Sequence, residues 1–190
     1  MRKAFTLAEI LVSLALLAVI TSIAVPVVIS VGNDANAMAY KAAFKSAEDI
    51  GHDAVEDWIT FPTGVLTNVT PTKALCNRFL TKMNVLTENS VTNAIGCPTT
   101  QAKTVQQRIT DKAPNFINTN GMAWYGMEAD MVNDWADGHT YLKAYVDVDG
   151  PNKGANTIGQ DILGIRIRED GQVTTLQRTG ASIEETYLVN

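Results

Sequence analysis

The residue types best suited to ligand chemistry are concentrated in one polar stretch near the end of the chain, residues 147–161. It reads D-V-D-G-P-N-K-G-A-N-T-I-G-Q-D and supplies carboxylates from Asp147, Asp149 and Asp161. Oxygen donors on a flexible, glycine-containing loop suit Ca²⁺, which takes roughly six to eight oxygen ligands. These three aspartates are therefore the candidate metal ligands.

A structural interpretation of the same stretch competes with calcium binding. Aspartate, asparagine and glycine also build the turns that join strands. The stretch is not an EF-hand loop, because Ile158 stands where that loop places its bidentate glutamate. We favour the turn interpretation, and we treat calcium as a ligand that the fold does not require.

A second candidate for chemistry is a single acid inside an apolar run. Residues 5–31 carry Glu9 as their one charged side chain, and Arg2 and Lys3 come just before them. At about 1.5 Å per residue, a helix of this length crosses the roughly 30 Å hydrocarbon core of a bilayer. A carboxylate inside that core costs about 2.5–3.5 kcal/mol and normally has a partner. The run therefore predicts a membrane-spanning helix in which Glu9 needs a cation.

Cleavage of the chain between Ala4 and Phe5 would create such a cation. The cut removes Arg2 and Lys3 and leaves the α-amino group of Phe5 at the start of an apolar helix. That amine can meet Glu9 of the same helix, one turn away, or Glu9 of a neighbouring copy. The second arrangement would set the axial stagger between copies in an assembly.

The segment K-A-F-T-L-A-E, followed by an apolar helix, resembles the class III leader of type IV pilins and type II secretion pseudopilins. The resemblance implies cleavage by a prepilin peptidase between Ala4, which replaces the usual glycine, and Phe5, whose new amine is then methylated. It also implies a homo-oligomeric filament, built through Phe5 and Glu9 with the help of a membrane platform protein and an assembly ATPase. Pro26 falls where such helices commonly have a proline, and it predicts a helix kink.

The distribution of charge predicts an orientation and a location. Positive residues stay on the cytoplasmic side, so Arg2 and Lys3 place the amino terminus inside. We expect a single-pass precursor in the inner (cytoplasmic) membrane, then an extracellular filament or a periplasmic pseudopilus. A cleaved secretory signal fits poorly, because its apolar core is only about 7–15 residues long. The formal net charge of −5 gives no electrostatic footprint for nucleic acid.

The two cysteines, Cys76 and Cys97, would lie in an oxidising compartment in this orientation, where they could form a disulfide. Two buried free thiols are the alternative. Without further His or Cys at ligand spacing, the pair makes a poor zinc site. A bridge closing a loop of about 20 residues would stabilise the fold by around 3 kcal/mol in the chain-entropy model.

These residues must be positioned by a long helix and a sheet. Apolar residues recur at helical spacing after residue 31, which predicts an amphipathic continuation of the first helix over 32–61. The last third has the pattern of antiparallel strands, with candidates at 122–127, 141–148, 162–168 and 173–177. The apolar stripe of the helix needs a sheet face to cover it. The predicted fold is therefore α+β, with the long N-terminal helix packed on a C-terminal antiparallel sheet, and the resemblance makes it type IV pilin-like.

The predicted organisation has four parts. They are a leader peptide over 1–4, a transmembrane and assembly helix over 5–31, its amphipathic continuation over 32–61, and a soluble head over 62–190. The larger aromatic residues are expected in the core or in the contact between helix and sheet, rather than on a ligand platform. They are Trp58, Trp124, Tyr125 and Trp135.

The function that follows is structural. Neither His52 nor His139 stands in a recognisable catalytic spacing, so we expect that the protein is not an enzyme. The first hypothesis is a subunit of a type IV pilus or pseudopilus filament, polymerised through its N-terminal helix. The alternative is a membrane-tethered envelope domain that binds a cation or another ligand.

Overall fold

The computed structural model describes residues 7–68, 72–86, 94–133, 137–176 and 187–188, with the side chains of 23–33 left out. The chain divides into two compact units, Met1–Asn36 and Ala37–Asn190. Helix α1, Leu7–Val55, contributes to both. The name head is used for the second unit, which includes residues 37–61 as well as the predicted head.

The first unit is the beginning of α1, and its apolar side chains are exposed. Exposure of the large apolar side chains ranges from 49% to 81% for Leu7, Ile10, Leu11, Val12, Leu14, Leu16, Leu17, Val19 and Ile20. The hydroxyls in this stretch bond to the helix itself. Ser13 donates to the carbonyl of Glu9 at 2.8 Å, and Thr21 donates to the carbonyl of Leu17 at 3.0 Å. Such back-bonding leaves the helix few polar groups that need water.

Among the described residues, no helix is both long enough and apolar enough to cross a membrane. The span predicted over residues 5–31 includes residues 5 and 6 and the side chains of 23–31, which lie outside the described part. Pro26 is one of these residues, so the kink stays a prediction.

In the second unit, α1 has one buried face. The fully or largely buried positions follow the spacing of successive helical turns and are Tyr40, Ala43, Ala47, Ile50 and Ala54. Tyr40 is the largest of these five side chains. Its ring is buried, and its hydroxyl donates to the carbonyl of Gly164 at 2.8 Å.

The helix ends at Val55, earlier than the predicted end at residue 61. The reason is a turn built by Asp57. Its carboxylate accepts the backbone N–H groups of Ile59 and Thr60, at 3.2 and 3.3 Å, while the N–H of Phe61 donates to its carbonyl. Phe61 is thereby turned into the core, where it is 1% exposed.

Two short helices follow α1. Helix α2 is Ala74–Lys82 and helix α3 is Val105–Thr110. A disulfide joins Cys76 on α2 to Cys97 in the following loop, with a Cα–Cα distance of 5.8 Å. Helix α3 begins with a capping box, in which Thr104 and Gln107 exchange side-chain and backbone hydrogen bonds.

The strands form one antiparallel sheet, as predicted. They are β1 Phe116–Ile117, β2 Ala123–Tyr125, β3 Val132–Asn133, β4 Thr140–Asp147, β5 Ile162–Arg168 and β6 Val173–Thr175. Their order in the sheet is β1-β2-β4-β5-β6, and β3 also pairs with β4. The central pair, β4 and β5, is in register from Tyr141–Arg168 to Asp147–Ile162. The loop between these two strands is the polar stretch singled out by the sequence.

Each face of the sheet has its own core. The face covered by α1 contributes Leu142, Ala144 and Val146 of β4 to the larger apolar cluster. The opposite face holds a smaller cluster that includes Ile109 of α3 and Tyr125. The sheet is thus buried on both sides where it carries the polar loop.

The aromatic predictions had mixed outcomes. Trp124 and Tyr125 are buried, at 0% and 1% exposure, as predicted. Trp58 is 69% exposed, so its assignment to the core was wrong. The physical reason is the early end of α1, which leaves Trp58 in a surface turn. Trp135 lies outside the described residues.

Helix α1 approaches the β5–β6 turn through two glycines. A Cβ at Gly51 would lie 2.6 Å from the carbonyl oxygen of Gly171. We predict that Gly51→Ala lowers the free energy of unfolding by about 1–2 kcal/mol. Overpacking typically costs about 1–3 kcal/mol and outweighs the roughly 0.5–1 kcal/mol gained from the better helix propensity of alanine.

The measurement is urea unfolding of the full chain in detergent, with His52→Ala as the control. His52 is the next residue and is exposed, so its replacement should change the unfolding free energy by less than about 0.5 kcal/mol. A Gly51→Ala protein as stable as the wild type would contradict the close packing.

Candidate functional site

The predicted assembly residues are only partly within the described structure. Ala4 and Phe5 lie outside it. Glu9 is exposed in the first turn of α1. A carboxylate there is favoured by the positive end of the helix dipole, typically by about 0.3–1 kcal/mol. The interaction with the helix dipole therefore favours an acid at position 9 independently of any assembly.

The polar loop between β4 and β5 brings the predicted metal ligands together. Asp147 ends β4 and is 0% exposed. Its Oδ1 accepts the backbone N–H of Gly150 at 2.9 Å, which is the turn role expected of an aspartate. Its Oδ2 is buried and has no hydrogen-bond partner among the described residues. Oδ1 of Asp149 is buried without a partner as well.

Asp161 lies on the other side of this loop. It is 4% exposed, and its two carboxylate oxygens accept the backbone N–H groups of Asn156 and Thr157, at 2.7 and 2.8 Å. Asp161 therefore closes the loop in the way that the turn interpretation requires. A carboxylate oxygen has a second lone pair, so these bonds leave Asp161 able to accept a further contact.

Gly154 shows how closely the acids converge. A Cβ built at this residue would lie 2.5 Å from Oδ2 of Asp149 and closer still to Oδ2 of Asp161. Any side chain at this position would collide with both carboxylates, whatever the backbone angle. The two carboxylates thus lie on either side of one small space.

 The φ angle of Gly154 is +61°. This left-handed conformation is one that glycine adopts at little steric cost. Glycine at position 154 therefore serves both the backbone conformation and the close approach of the two acids.

The electrostatics of the cluster follow from this geometry. Burial, together with the neighbouring Asp149 carboxylate, raises the pKa of Asp147 to about 8. Burial and the charge of Asp147 also raise the pKa of Tyr125, whose buried hydroxyl has no hydrogen-bond partner among the described residues. Because the folded pKa of Asp147 lies above its unfolded value, the protonated carboxyl stabilises the fold at low pH. That contribution is lost as the pH rises through about 8.

A cation would compensate the same charge without protonation. None of the ion pairs formed by the described residues includes Asp147, Asp149 or Asp161. The described residues also contain no group of three or more His, Cys, Asp or Glu side chains arranged to hold a metal ion. The acids are close but do not form a finished metal site, and an ion would need backbone carbonyls or water as further ligands.

Sequence reasoning missed two members of this cluster. Tyr125 was predicted to be a core residue, and its place beside Asp147 depends on how β2 pairs with β4, where Ala123 lies opposite Asp147. Gly154 was included in the polar stretch but given no role. Strand register is the information that was lacking in both cases.

The comparison with protein-family models concerns the other end of the chain. Residues 1–25 match the prokaryotic N-terminal methylation motif. The chain carries a class III prepilin leader. This is the leader of type IV pilins and pseudopilins, so the resemblance seen in K-A-F-T-L-A-E is confirmed. No curated protein and no solved structure matches the chain. The methylation motif thus accounts for the first 25 residues, and the head is interpreted from its own structure.

Proposed function

We propose that the chain is a structural subunit of a type IV pilus or a secretion pseudopilus. The observation that carries the proposal is the N-terminal methylation motif at residues 1–25. The exposed apolar side chains of the first unit support it. A helix that presents large apolar residues in the part where its side chains are described has to be covered by lipid or by other protein.

The proposed life of the subunit has two stages. The precursor lies in the inner membrane with its amino terminus inside, until a prepilin peptidase cuts between Ala4 and Phe5 and methylates the new amine. A membrane platform protein and an assembly ATPase then drive polymerisation into an extracellular filament or a periplasmic pseudopilus. In the polymer, the Phe5 amine of an arriving subunit meets Glu9 of its neighbour.

Helix packing supplies the energy of the polymer. Each large apolar side chain that goes from exposed to buried contributes about 1.5–3 kcal/mol relative to water. In the membrane the comparison is with lipid, so close packing rather than water release has to favour the assembled state. The charge pair between Phe5 and Glu9 then fixes which axial position is preferred.

Replacement of the residue before the cut tests maturation. We predict that Ala4→Trp blocks cleavage, because a small residue at this position lets the peptide enter the peptidase site. Terminal sequencing should then find Met1 in the variant and Phe5 in the wild type. Lys3→Arg, which keeps the charge of the leader, is the matched control and should be cut normally. Efficient cleavage of Ala4→Trp would contradict the proposed processing site.

Replacement of Glu9 separates a filament subunit from a simple membrane tether. We predict that Glu9→Leu reduces filament yield at least tenfold while cleavage and membrane insertion continue. The reason is that the variant loses the acid that pairs with the Phe5 amine. The measurement is electron microscopy of sheared filaments with immunoblotting of the membrane fraction.

Thr21→Leu is the control for this experiment, because it also replaces a polar side chain of the same helix with leucine. It should assemble like the wild type. Filaments of Glu9→Leu at the wild-type level would reject the pairing, and a wild-type chain that never forms filaments would favour the membrane-tethered alternative.

We also propose that the head binds one calcium ion through Asp147, Asp149 and Asp161. The proposal is supported by two buried carboxylate oxygens without partners and by the convergence of Asp149 and Asp161 at Gly154. It is independent of polymerisation, since a tethered envelope domain could bind the ion equally well. The ion would act by neutralising buried charge and fastening the β4–β5 loop.

Thermal unfolding of the full chain in detergent tests the calcium proposal. At a calcium concentration near 100 times Kd, binding adds about 2.7 kcal/mol. For a head of this size that should raise Tm by about 5 °C or more over the value in EDTA. Asp147→Asn should lose this response, although it should unfold in EDTA at or above the wild-type Tm. Asparagine keeps the oxygen that accepts the Gly150 N–H and removes the buried charge.

Glu56→Gln is the control, because it removes an exposed carboxylate of the head outside the loop. It should respond to calcium like the wild type. An equal Tm of the wild type in EDTA and in calcium would contradict the calcium proposal. A full calcium response in Asp147→Asn would contradict it as well.

A further inference from the structure

Two consecutive residues of the head have large apolar side chains that are exposed. Trp58 is 69% exposed and Ile59 is 94% exposed, and both lie in the turn that follows α1. The other exposed large apolar residues described in the head occur singly along the chain. They are Met38, Val65, Leu86 and Val132. Single exposed apolar residues are ordinary, whereas an adjacent tryptophan and isoleucine at this exposure need a reason.

The turn that carries this pair is held in place from several sides. The Asp57 carboxylate accepts the N–H groups of Ile59 and Thr60, and it also lies 3.2 Å from Nη1 of Arg78 on α2. The N–H of Phe61 donates to the carbonyl of Asp57 at 2.8 Å, and the ring of Phe61 is buried. The backbone that presents Trp58 and Ile59 is therefore tied to both α2 and the core.

A fixed backbone matters because ordering flexible groups on binding costs free energy. Tryptophan is among the residues most enriched where binding energy is concentrated in protein interfaces. A tryptophan on a turn held by Asp57 and Phe61 loses less freedom on binding than one on a mobile loop. These features are those of an interaction surface.

The size of the surface indicates what kind of partner it fits. An aromatic side chain buries about 150–250 Å², and the isoleucine adds only one further side chain. A stable interface between two free proteins buries about 800 Å² on each partner. The pair is thus too small to hold a free partner, and it fits a partner that other contacts already keep at high local concentration.

We propose that Trp58 and Ile59 contact a second copy of this chain within an assembled filament. This inference rests on the proposed function, because polymerised helices are what would hold neighbouring heads together. Subunits in a helical filament meet through two different surfaces, so the pair contacts another part of the neighbouring head and not its own counterpart. The charged residues near the pair, in sequence or through ion pairs, have no positive excess that would attract an anionic membrane. They are Asp53, Glu56, Asp57, Arg78 and Lys82.

Site-specific photo-crosslinking identifies the neighbour. The full chain carries benzoylphenylalanine in place of Trp58, and cells that make it are irradiated before mass spectrometry of the crosslinked peptides. We expect a crosslink from position 58 to a peptide of a second copy that does not contain residue 58. A crosslink to lipid, to a different protein or between two copies of position 58 would overturn the proposal.

A paired substitution measures the contribution to assembly. The double variant Trp58→Ser, Ile59→Ser should reduce filament yield at least tenfold and leave Tm of the full chain in detergent within about 2 °C of the wild type. Val132→Ser removes an exposed apolar side chain elsewhere on the head and should assemble normally. Wild-type yield from the double variant, or a large fall in its Tm, would overturn the proposal.

The two proposals fail in different ways. If the wild-type chain forms no filaments, the proposed function is rejected, whatever the double variant does. If the wild type forms filaments and the double variant forms as many, only the role of Trp58 and Ile59 is rejected.

Discussion

The contact between α1 and the sheet is the constraint on which the head depends. Three small residues of the helix, Ala43, Ala47 and Ala54, are buried in the apolar cluster that also holds residues of β4 and β5. The backbones of Gly51 and Gly171 lie close together. Tyr40 adds a buried hydrogen bond to the carbonyl of Gly164. Close packing of this kind leaves little room for adjustment. It fixes the β4–β5 pair, and that pair in turn fixes where the polar loop begins and ends.

The polar loop shows how one set of residues can satisfy two interpretations. Oδ1 of Asp147 and both oxygens of Asp161 accept backbone N–H groups, which is what turn-building residues do. Oδ2 of Asp147 and Oδ1 of Asp149 are buried without such partners. A loop that needed only turns could have used asparagine at these positions and avoided the cost of a buried charge. The loop has more carboxylate oxygens than its turns need, and these extra oxygens are the physical argument for a cation.

How much of this was predictable depended on the length of each element. Strand β5 was predicted with its observed bounds, and β4 to within one residue, because seven or eight residues show alternation clearly. Strands β1 and β3 have two residues each and carry no periodic signal, so they were missed. The end of α1 was missed because it is set by side-chain bonds of Asp57 and the burial of Phe61. Neither contact leaves a pattern in the sequence, and the exposure of Trp58 follows from them.

The prepilin leader and the head obey separate physical requirements. None of the described side chains from Leu7 to Ser22 is buried, and the two apolar clusters of the described chain draw on residues from position 39 onward. A substitution in the head can therefore alter its packing without touching the residues that match the methylation motif. In the proposed function, the motif has to be recognised by a peptidase and to pack in the polymer, whereas the head has only to fold and to present its surfaces.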